Sequence, residues 1–564
     1  MSDSGFQPGP VRRPVGLETE FGILRPGDPY ANPVVLSSQV VEAYCTAADV
    51  PAVRWDYEGE DPLADLRGGR LQRSIAHPSQ LTDDPTRPAP SGDAPPPAPW
   101  GSRARPSVAE AALPHAATAV LVNGARLYVD HAHPEYSSPE VLTPHDALVW
   151  DRAGEVVARS AMEGLSDGDR GAGAPVEIVL YKNNVDGKGA AYGSHENYLV
   201  QRDLPLEELA AVLIPFLVTR PVVVGAGRVG IGQRSERPGF QISQRADYVE
   251  SEIGLQTTFN RPIINNRDEP HANGARWRRL HIINGDANRF DVPIYLKIAT
   301  TDLLLWYLER ASARGERLGA LAPLRLVRDP VEDHWATSHD TTLTRALITV
   351  SGPMTALEIQ RAHLGAVVDA LREDYGGTDR DHVGEETAAA VALWGETLTA
   401  LEDYAAARGS CREAEATTRA AALVEWVAKK QLCDAMRART GAGWEDPRLA
   451  ALDIQWADLR IGHGVADRLI AAGRTRRLTT DAEIEAAVDT APSGTRAAIR
   501  GLAVARYGAV VAASWTSLVL DLPGHEHLLR VALPDDVRAD SQRVADVLDQ
   551  IRITIGPHRG MGAD

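Results

Sequence analysis

A mixed α/β (α+β) fold, with strands first, helices after them and a short mixed stretch at the end, is what the pattern of this 564-residue chain predicts. Three observations lead there. Stretches that alternate apolar and polar residues, the mark of half-buried strands, crowd the first half of the chain. From 355 to 475 they give way to Ala-rich helical runs such as "TRAAALVEWVAKKQLCDAMRA". From about 490 a short mixed stretch ends the chain.

Residues 1–12 read as a disordered leader, and "VGLETEFGIL" (15–24) as the first strand. "DPTRPAPSGDAPPPAPWGSRARPS" (84–107) is too rich in Pro, Ala and Gly to bury much surface, so a mobile insertion is expected over about 54–110. "ATAVLVNGARLYVD" (117–130) pairs two alternating strands around Asn123-Gly124, a strong hairpin signal, which puts Asp130 at a strand end. "VEIVLYKNN", "HENYLVQRD" and "RRLHIING" read as further strands, and "VPIYLKIATTDLLLWYLERA" as a helix. The expected domains are 13–485 and 486–564.

With 44% hydrophobic residues the chain can bury a large core. A net charge of −18 argues against a general nucleic-acid binder, because phosphate backbones demand positive faces. Cys45, Cys411 and Cys433 have no metal-ligand spacing and fit a reducing cytoplasm. No apolar run approaches the ~20 residues that span a bilayer, so a cytoplasmic protein without membrane contact is expected.

The polar chemistry is concentrated in four places. The two-residue period of "GLETEFG" puts Glu18 and Glu20 on one face and Thr19 on the other. "YVDHAHPEYSSPE" (128–140) points Tyr128 and Asp130 one way, then sets His131, His133 and Glu135 where an ordinary loop would use Gly, Asn or Ser. "YKNNVDGKGAAYGSHENY" (181–198) places His195 and Asn197 on one strand face, after glycines that let a ligand approach the backbone. Between Gln244 and His281, Arg245, Arg267 and Arg279 offer guanidinium forks suited to phosphate or carboxylate, and Arg279 shares a strand face with His281. For each, a solvated face or a surface ion pair is the plain alternative. "VVVGAGRVG" (222–230) spells a dinucleotide fingerprint, but Gly232, Pro238 and Gly239 stand where its helix should begin, so it is set aside. Carboxylates for a hard cation and arginines for phosphate, converging on one sheet without a P-loop, are what a Mg²⁺-bound nucleoside triphosphate requires.

The strings "NGARLYVDHAHPEYSSPE", "LYKNNVDGKGAAYGSHENYL", "GAGRVGIG", "FQISQRADY", "NNRDEPHA", "RRLHIINGDAN" and "LDIQWADLR", in this order, resemble the enzymes of pupylation. These form the Pup ligase/deamidase family of the glutamine synthetase-like carboxylate-amine ligase superfamily, Pup being a prokaryotic ubiquitin-like protein. "RWDYEGEDPLADLRGGRLQRS" (54–74), the long insertion and the spelling of "DHAHPEY" are similar to the depupylase/deamidase branch rather than the ligase branch. The resemblance implies a glutamine synthetase-like domain with a curved antiparallel sheet, ATP and Mg²⁺ as cofactors, and Pup and pupylated proteins as partners of a monomer. The implied reaction is hydrolysis of the isopeptide bond between Pup and lysine, or deamidation of Pup's C-terminal Gln. It also implies roles: Glu18, Tyr128, Glu135, His195 and His281 about the metal; Thr19, Glu20, Ser137, Ser138, Asn197, Arg245, Arg267 and Arg279 about the nucleotide; Asp130 as the catalytic carboxylate. Arg202, Arg228 and Arg460 are candidate contacts for an acidic Pup chain. The alternatives are the ATP-consuming Pup ligase, a dinuclear metallohydrolase using the HxH pair of "DHAH", and an idle Pup-binding adaptor.

Overall fold

The computed structural model describes residues 10–47, 53–76, 100–105, 117–166, 177–187, 189–257, 259–316 and 319–556. At its centre is an eight-stranded sheet made of β1 (Val15–Glu20), β2 (Thr118–Val120), β3 (Arg126–Asp130), β4 (His133–Ser137), β5 (Ser194–Gln201), β6 (Val249–Gly254), β7 (Arg261–Asn265) and β8 (Trp277–Ile282). Their spatial order is β6-β7-β8-β5-β1-β4-β3-β2, antiparallel except for the parallel pair β6 and β7. The Asn123-Gly124 turn joins β2 to β3 as its sequence demands, with Gly124 at a φ of 81° that a side chain would strain.

Strand alternation divides the sheet into two chemically different faces. Leu17, Tyr198, Val200, Leu280 and Ile282 point into one hydrophobic cluster with the helix Asp291–Ala313. Each such aliphatic side chain, taken out of water, contributes roughly 1.5–3 kcal/mol. The helix Pro144–Ser166 also backs the sheet, and its Gly154 leaves room for the ring of Tyr136, which an added Cβ would meet at 2.4 Å. Buried Lys182 is matched there by Asp151 and Glu155, both on that helix. The opposite face is left for polar chemistry.

The expected helical run is present from Ala356–Tyr375 to Val465–Ala471. Its first helix starts at a Thr355–Glu358 capping box and ends at Gly376 in the left-handed region, φ 80°. Among the described residues no helix is long and apolar enough to cross a membrane.

The C-terminal stretch builds a second sheet of five strands, ordered Arg54–Trp55, Val510–Ala513, Ser517–Leu520, Leu528–Ala532 and Trp100–Arg103. Both of its edge strands come from the region expected to be a mobile insertion. That expectation is corrected for 53–76 and 100–105, which pack; 77–99 and 106–116 lie outside the described residues, as do 1–9 of the expected leader. Composition misled because one buried carboxylate ties the segment down. Asp56 accepts from Ser517 Oγ at 2.9 Å and pairs with Arg103 and Arg530. Asp56→Ala is therefore expected to cost about 1–3 kcal/mol and to lower the melting temperature, as deletion of 54–74 should do more strongly. A melting curve unchanged by either would mean that the segment carries no stability.

Glu140, just beyond β4, fastens the C-terminal helix Ala497–Arg506 to the large sheet. Its carboxylate accepts from Arg496 Nε at 2.9 Å and from Arg500 Nη2 at 2.5 Å, and Arg500 also donates to Gly124 O.

Candidate active site

The polar face of the sheet collects its side chains through register. Glu18 stands opposite Ser137 on β4 and His195 on β5, Glu20 opposite Glu135, Glu135 opposite Tyr128, and Asn197 opposite His281. Residues directly opposite one another in an antiparallel pair share a face, so five strands contribute to one surface. Two clusters result. Glu18, His195 and His281 bring one ligand atom each within 4.8 Å of the others, and Glu20, Asp130 and Glu135 do the same alongside. Gly193 is required between them: a Cβ there would lie 2.3 Å from His195 Nε2 and 2.7 Å from Glu20 Oε1, the atom to which its own N–H donates.

Glu18 Oε2 lies 3.1 Å from His195 Nδ1 and 3.6 Å from His281 Nε2, and Oε1 accepts from Asn197 Nδ2 at 2.9 Å. Burial opposes its charge, but the two imidazoles prevail and hold the carboxyl well below the usual range. Glu20 is likewise opposed by burial and brought down to about 2 by His133, at 3.2 Å, by His195 and by the Gly193 amide. Glu135 goes the other way. Burial, then the charges of Asp130, Glu18 and Glu20, push its carboxyl well up despite the hydroxyl donated by Tyr128. Burial, then Arg279, brings His281 down to about 3, so its ring is neutral. An oxygen-rich cluster whose members repel one another, next to neutral imidazole, suits a hard divalent cation, which would relieve Glu135. Consistent with that fit, buried His281 Nε2 and Asn197 Oδ1 have no hydrogen-bond partner among the described residues.

Asp130 closes β3, and the chain reverses through His131 and Ala132 to His133, its partner across the strands. His131 Nδ1 lies 2.6 Å from Asp130 Oδ2. That hydrogen bond raises the imidazole pKa in spite of burial.

Next to the Glu18 cluster an open cleft lies between the large sheet and the C-terminal part of the chain. Glu18, Ser137, Asn197 and Arg279 line its polar end, while His271, Arg496 and Trp515 come from other parts of the chain. Reading the sequence missed these last three as site residues, although "NNRDEPHA" contains His271. A tryptophan followed by polar residues in "ASWTSLVLDL" was the available signal for Trp515.

The structure therefore brings together Glu18, Glu20, Tyr128, Asp130, Glu135, Ser137, His195, Asn197, Arg279 and His281. Four expected residues stand apart. Thr19 faces the other way, its hydroxyl 3.4 Å from Asp151 on the backing helix, because neighbours in a strand alternate. Ser138 borders the cleft, but its Oγ accepts from Leu17 N at 2.9 Å and so splints β1 to the chain after β4. Arg245 is buried with its terminal nitrogens on Tyr192 O and Ile283 O, and Arg267 pairs with Glu269 at 3.5 Å.

Other expectations meet the geometry as follows. His131 turns to Asp130 and His133 to Glu20, so the HxH pair does not converge on one metal position. Gly225–Gly227 connects the short helix Pro221–Val224 to the strand Arg228–Ile231, the reverse of a dinucleotide-binding strand and helix. The apolar run before it is this helix and not the strand it resembles. Arg228 is buried, 1% exposed, and cannot serve as a surface contact. Arg202 is held by Asp268 and Arg460 by Asp458, both pairs at 2.7 Å.

Anionic and imidazole clusters on one sheet face, beside an open cleft, form a candidate enzyme active site. The chain belongs to the family described as Pup-ligase protein, which matches residues 13–519. It is 41% identical over 546 residues to the Pup deamidase/depupylase of Mycobacterium tuberculosis, covering 96% of this chain and 97% of that protein. The depupylase of Acidothermus cellulolyticus is similar at 41% over 96% of the chain. The Pup–protein ligase of Micrococcus luteus is 37% identical over 72% of the chain and 84% of its own length. Among solved structures, the ligase PafA in complex with Pup superposes with a TM-score of 0.70 at 29% identity, covering 97% of this chain and 93% of that one. PafA with ADP gives a TM-score of 0.65 at 33% identity, covering 78% and 90%. The fold class is thus the mixed α/β, glutamine synthetase-like one expected.

Proposed function

We propose that this chain is a Mg²⁺- and ATP-dependent depupylase and deamidase, which hydrolyses the isopeptide bond between Pup and substrate lysines and the side-chain amide of Pup's C-terminal Gln. The observation that carries this reading over the ligase is the extent of likeness: the depupylases match 96% of the chain at 41% identity, whereas a ligase matches 72% at 37%. A cytoplasmic monomer acting on Pup and pupylated proteins is part of the same reading.

Glu18, His195 and His281, with Glu135 and Tyr128 beside them, would hold the metal; Glu20, Ser137, Asn197 and Arg279 would border the nucleotide. When bound, Mg²⁺ would supply the positive charge that offsets the clustered carboxylates and the phosphates of the nucleotide. Asp130 supplies the attack, as nucleophile or as base for a water, while His131 holds its Oδ2. Amide hydrolysis consumes no ATP, so the nucleotide is a cofactor here, whereas a ligase must spend it to activate a carboxylate in each cycle.

The deciding experiment incubates the protein with Pup ending in Gln and with a pupylated protein, each with and without Mg²⁺-ATP, and weighs the products. Release of Pup ending in Glu that depends on nucleotide without stoichiometric ATP loss is expected. Joining of Pup to lysine with ATP turnover would make it the ligase, activity without nucleotide a metallohydrolase, and binding without cleavage an adaptor.

A separate expectation concerns Glu18. Glu18→Gln removes one anionic oxygen ligand and the charge that orients two imidazoles, so Mg²⁺-nucleotide affinity should fall by roughly 10–100-fold. Calorimetric titration with a non-hydrolysable ATP analogue measures it; wild-type affinity would remove Glu18 from the metal site.

A further inference from the structure

We propose that His131 is a positioning residue for Asp130, and that its unusual backbone is retained to hold it there. The inference rests on the reading of Asp130 as the catalytic carboxylate. Four observations lead to it. His131 occupies the left-handed region at φ 52°, where a non-glycine side chain is disfavoured and where the two-residue turn between Asp130 and His133 would favour Gly or Asn. Its imidazole meets the neighbouring carboxylate, with Nδ1 2.6 Å from Asp130 Oδ2. The turn is pinned from beneath, since fully buried Ser37, on the helix Pro33–Ala47, donates to Ala132 O at 2.9 Å. Finally, Asp130 sits at the free end of its strand with its side chain 34% exposed, so neighbouring packing does little to fix the carboxylate.

A strained backbone that persists only because its surroundings over-determine it is a pointer to a geometric task. Here the task is specific. Holding Oδ2 fixes the plane of the carboxylate and leaves the other oxygen for the reacting bond. Without the imidazole, Asp130 could rotate toward solvent, away from the productive geometry. A reacting group displaced by about an ångström typically loses on the order of 10²-fold in rate.

The test uses the full-length protein and separates strain from positioning. His131→Gly suits the left-handed backbone but removes the donor. Its melting temperature is expected to equal or exceed that of wild type, with Mg²⁺-nucleotide affinity and KM for a pupylated substrate unchanged and kcat lower by roughly 10–100-fold. His131→Asn tolerates the same backbone and keeps an N–H donor, so it should recover part of that loss. Wild-type kcat in His131→Gly, or a fall in kcat matched by falls in melting temperature and nucleotide affinity, would overturn the inference. Asp130→Asn separates the two claims. If that variant is inactive while His131→Gly is fully active, only the positioning role fails. If it cleaves normally, the reading of Asp130 fails and the inference with it.

Discussion

Asp130→Asn is expected to abolish measurable depupylation and deamidation while leaving nucleotide and Pup binding intact. The substitution keeps the size of the side chain and one acceptor oxygen but removes the charge, the base and the nucleophile together. Loss of a general base alone typically costs ~10²–10⁴-fold, and loss of a nucleophile usually more. Binding should survive because the Glu18 cluster and the cleft are built from other residues, and Glu20 and Glu135 remain in the group that Asp130 shares with them. Fold should survive too, since the carboxylate makes its hydrogen bond to an adjacent residue in its own turn. The measurement is single-turnover cleavage of a pupylated substrate set beside nucleotide affinity. Cleavage at near wild-type rate would take the catalytic role from Asp130; loss of nucleotide binding in step with activity would make it part of the cofactor site.

Glu140→Gln should produce the largest loss of stability. Arg500 is fully buried and Arg496 nearly so, and both direct their charge at the Glu140 carboxylate. Removing one side of a buried charge group typically costs 3–5 kcal/mol, because the remaining charge stays desolvated. The pH dependence has a definite sign. Burial would raise the Glu140 carboxyl, but the two guanidinium groups overcome it and hold the carboxyl at about 2, below its ordinary value of 4.5. A carboxyl depressed in the folded state contributes fully above its unfolded value and loses that contribution as pH falls toward its folded one. The stability gap between wild type and Glu140→Gln should thus be widest at neutral pH and narrow below about pH 4.5. Denaturant melts of both proteins across that range measure it. A gap that stays constant with pH would show that shape, not charge, holds the C-terminal helix to the sheet.

Much of the catalytic face was legible in the residues themselves, because strand alternation is a strict rule. Once β1, β3, β5 and β8 are strands, Glu18 must share a face with Glu20, Tyr128 with Asp130, His195 with Asn197, and Arg279 with His281. The same rule already placed Thr19 on the opposite face, where it meets Asp151. The family likeness nevertheless drew Thr19 into the nucleotide set, whereas its hydroxyl in the structure follows the local rule. What alternation cannot supply is which strands are neighbours. That β1 lies between β4 and β5, and so sets Glu18 against His195 and Glu20 against Glu135, is decided by pairing across long stretches of chain.

Arg245 and Arg267 illustrate the same limit. Their residue type fits phosphate, but a guanidinium binds whatever acceptors the fold presents, and here these are two carbonyls and Glu269. The segment around Asp56 shows it again. Its low-complexity neighbour suggested mobility, yet Arg54–Trp55 and Trp100–Arg103 are the edge strands of the C-terminal sheet, more than 400 residues away in the chain from its central strands. By itself the sequence determined the local periods, the turn at Asn123-Gly124, the helix-rich second half and the identity of the polar clusters, all of which depend on residues close along the chain. Only the tertiary structure decided the order of the strands, the role of Trp515 and Arg496 in walling the cleft, and the turning of His131 toward Asp130 and His133 toward Glu20. Those depend on which distant backbone groups pair and on which carboxylate lies within a hydrogen bond's reach, and neither is encoded in any short stretch of residues.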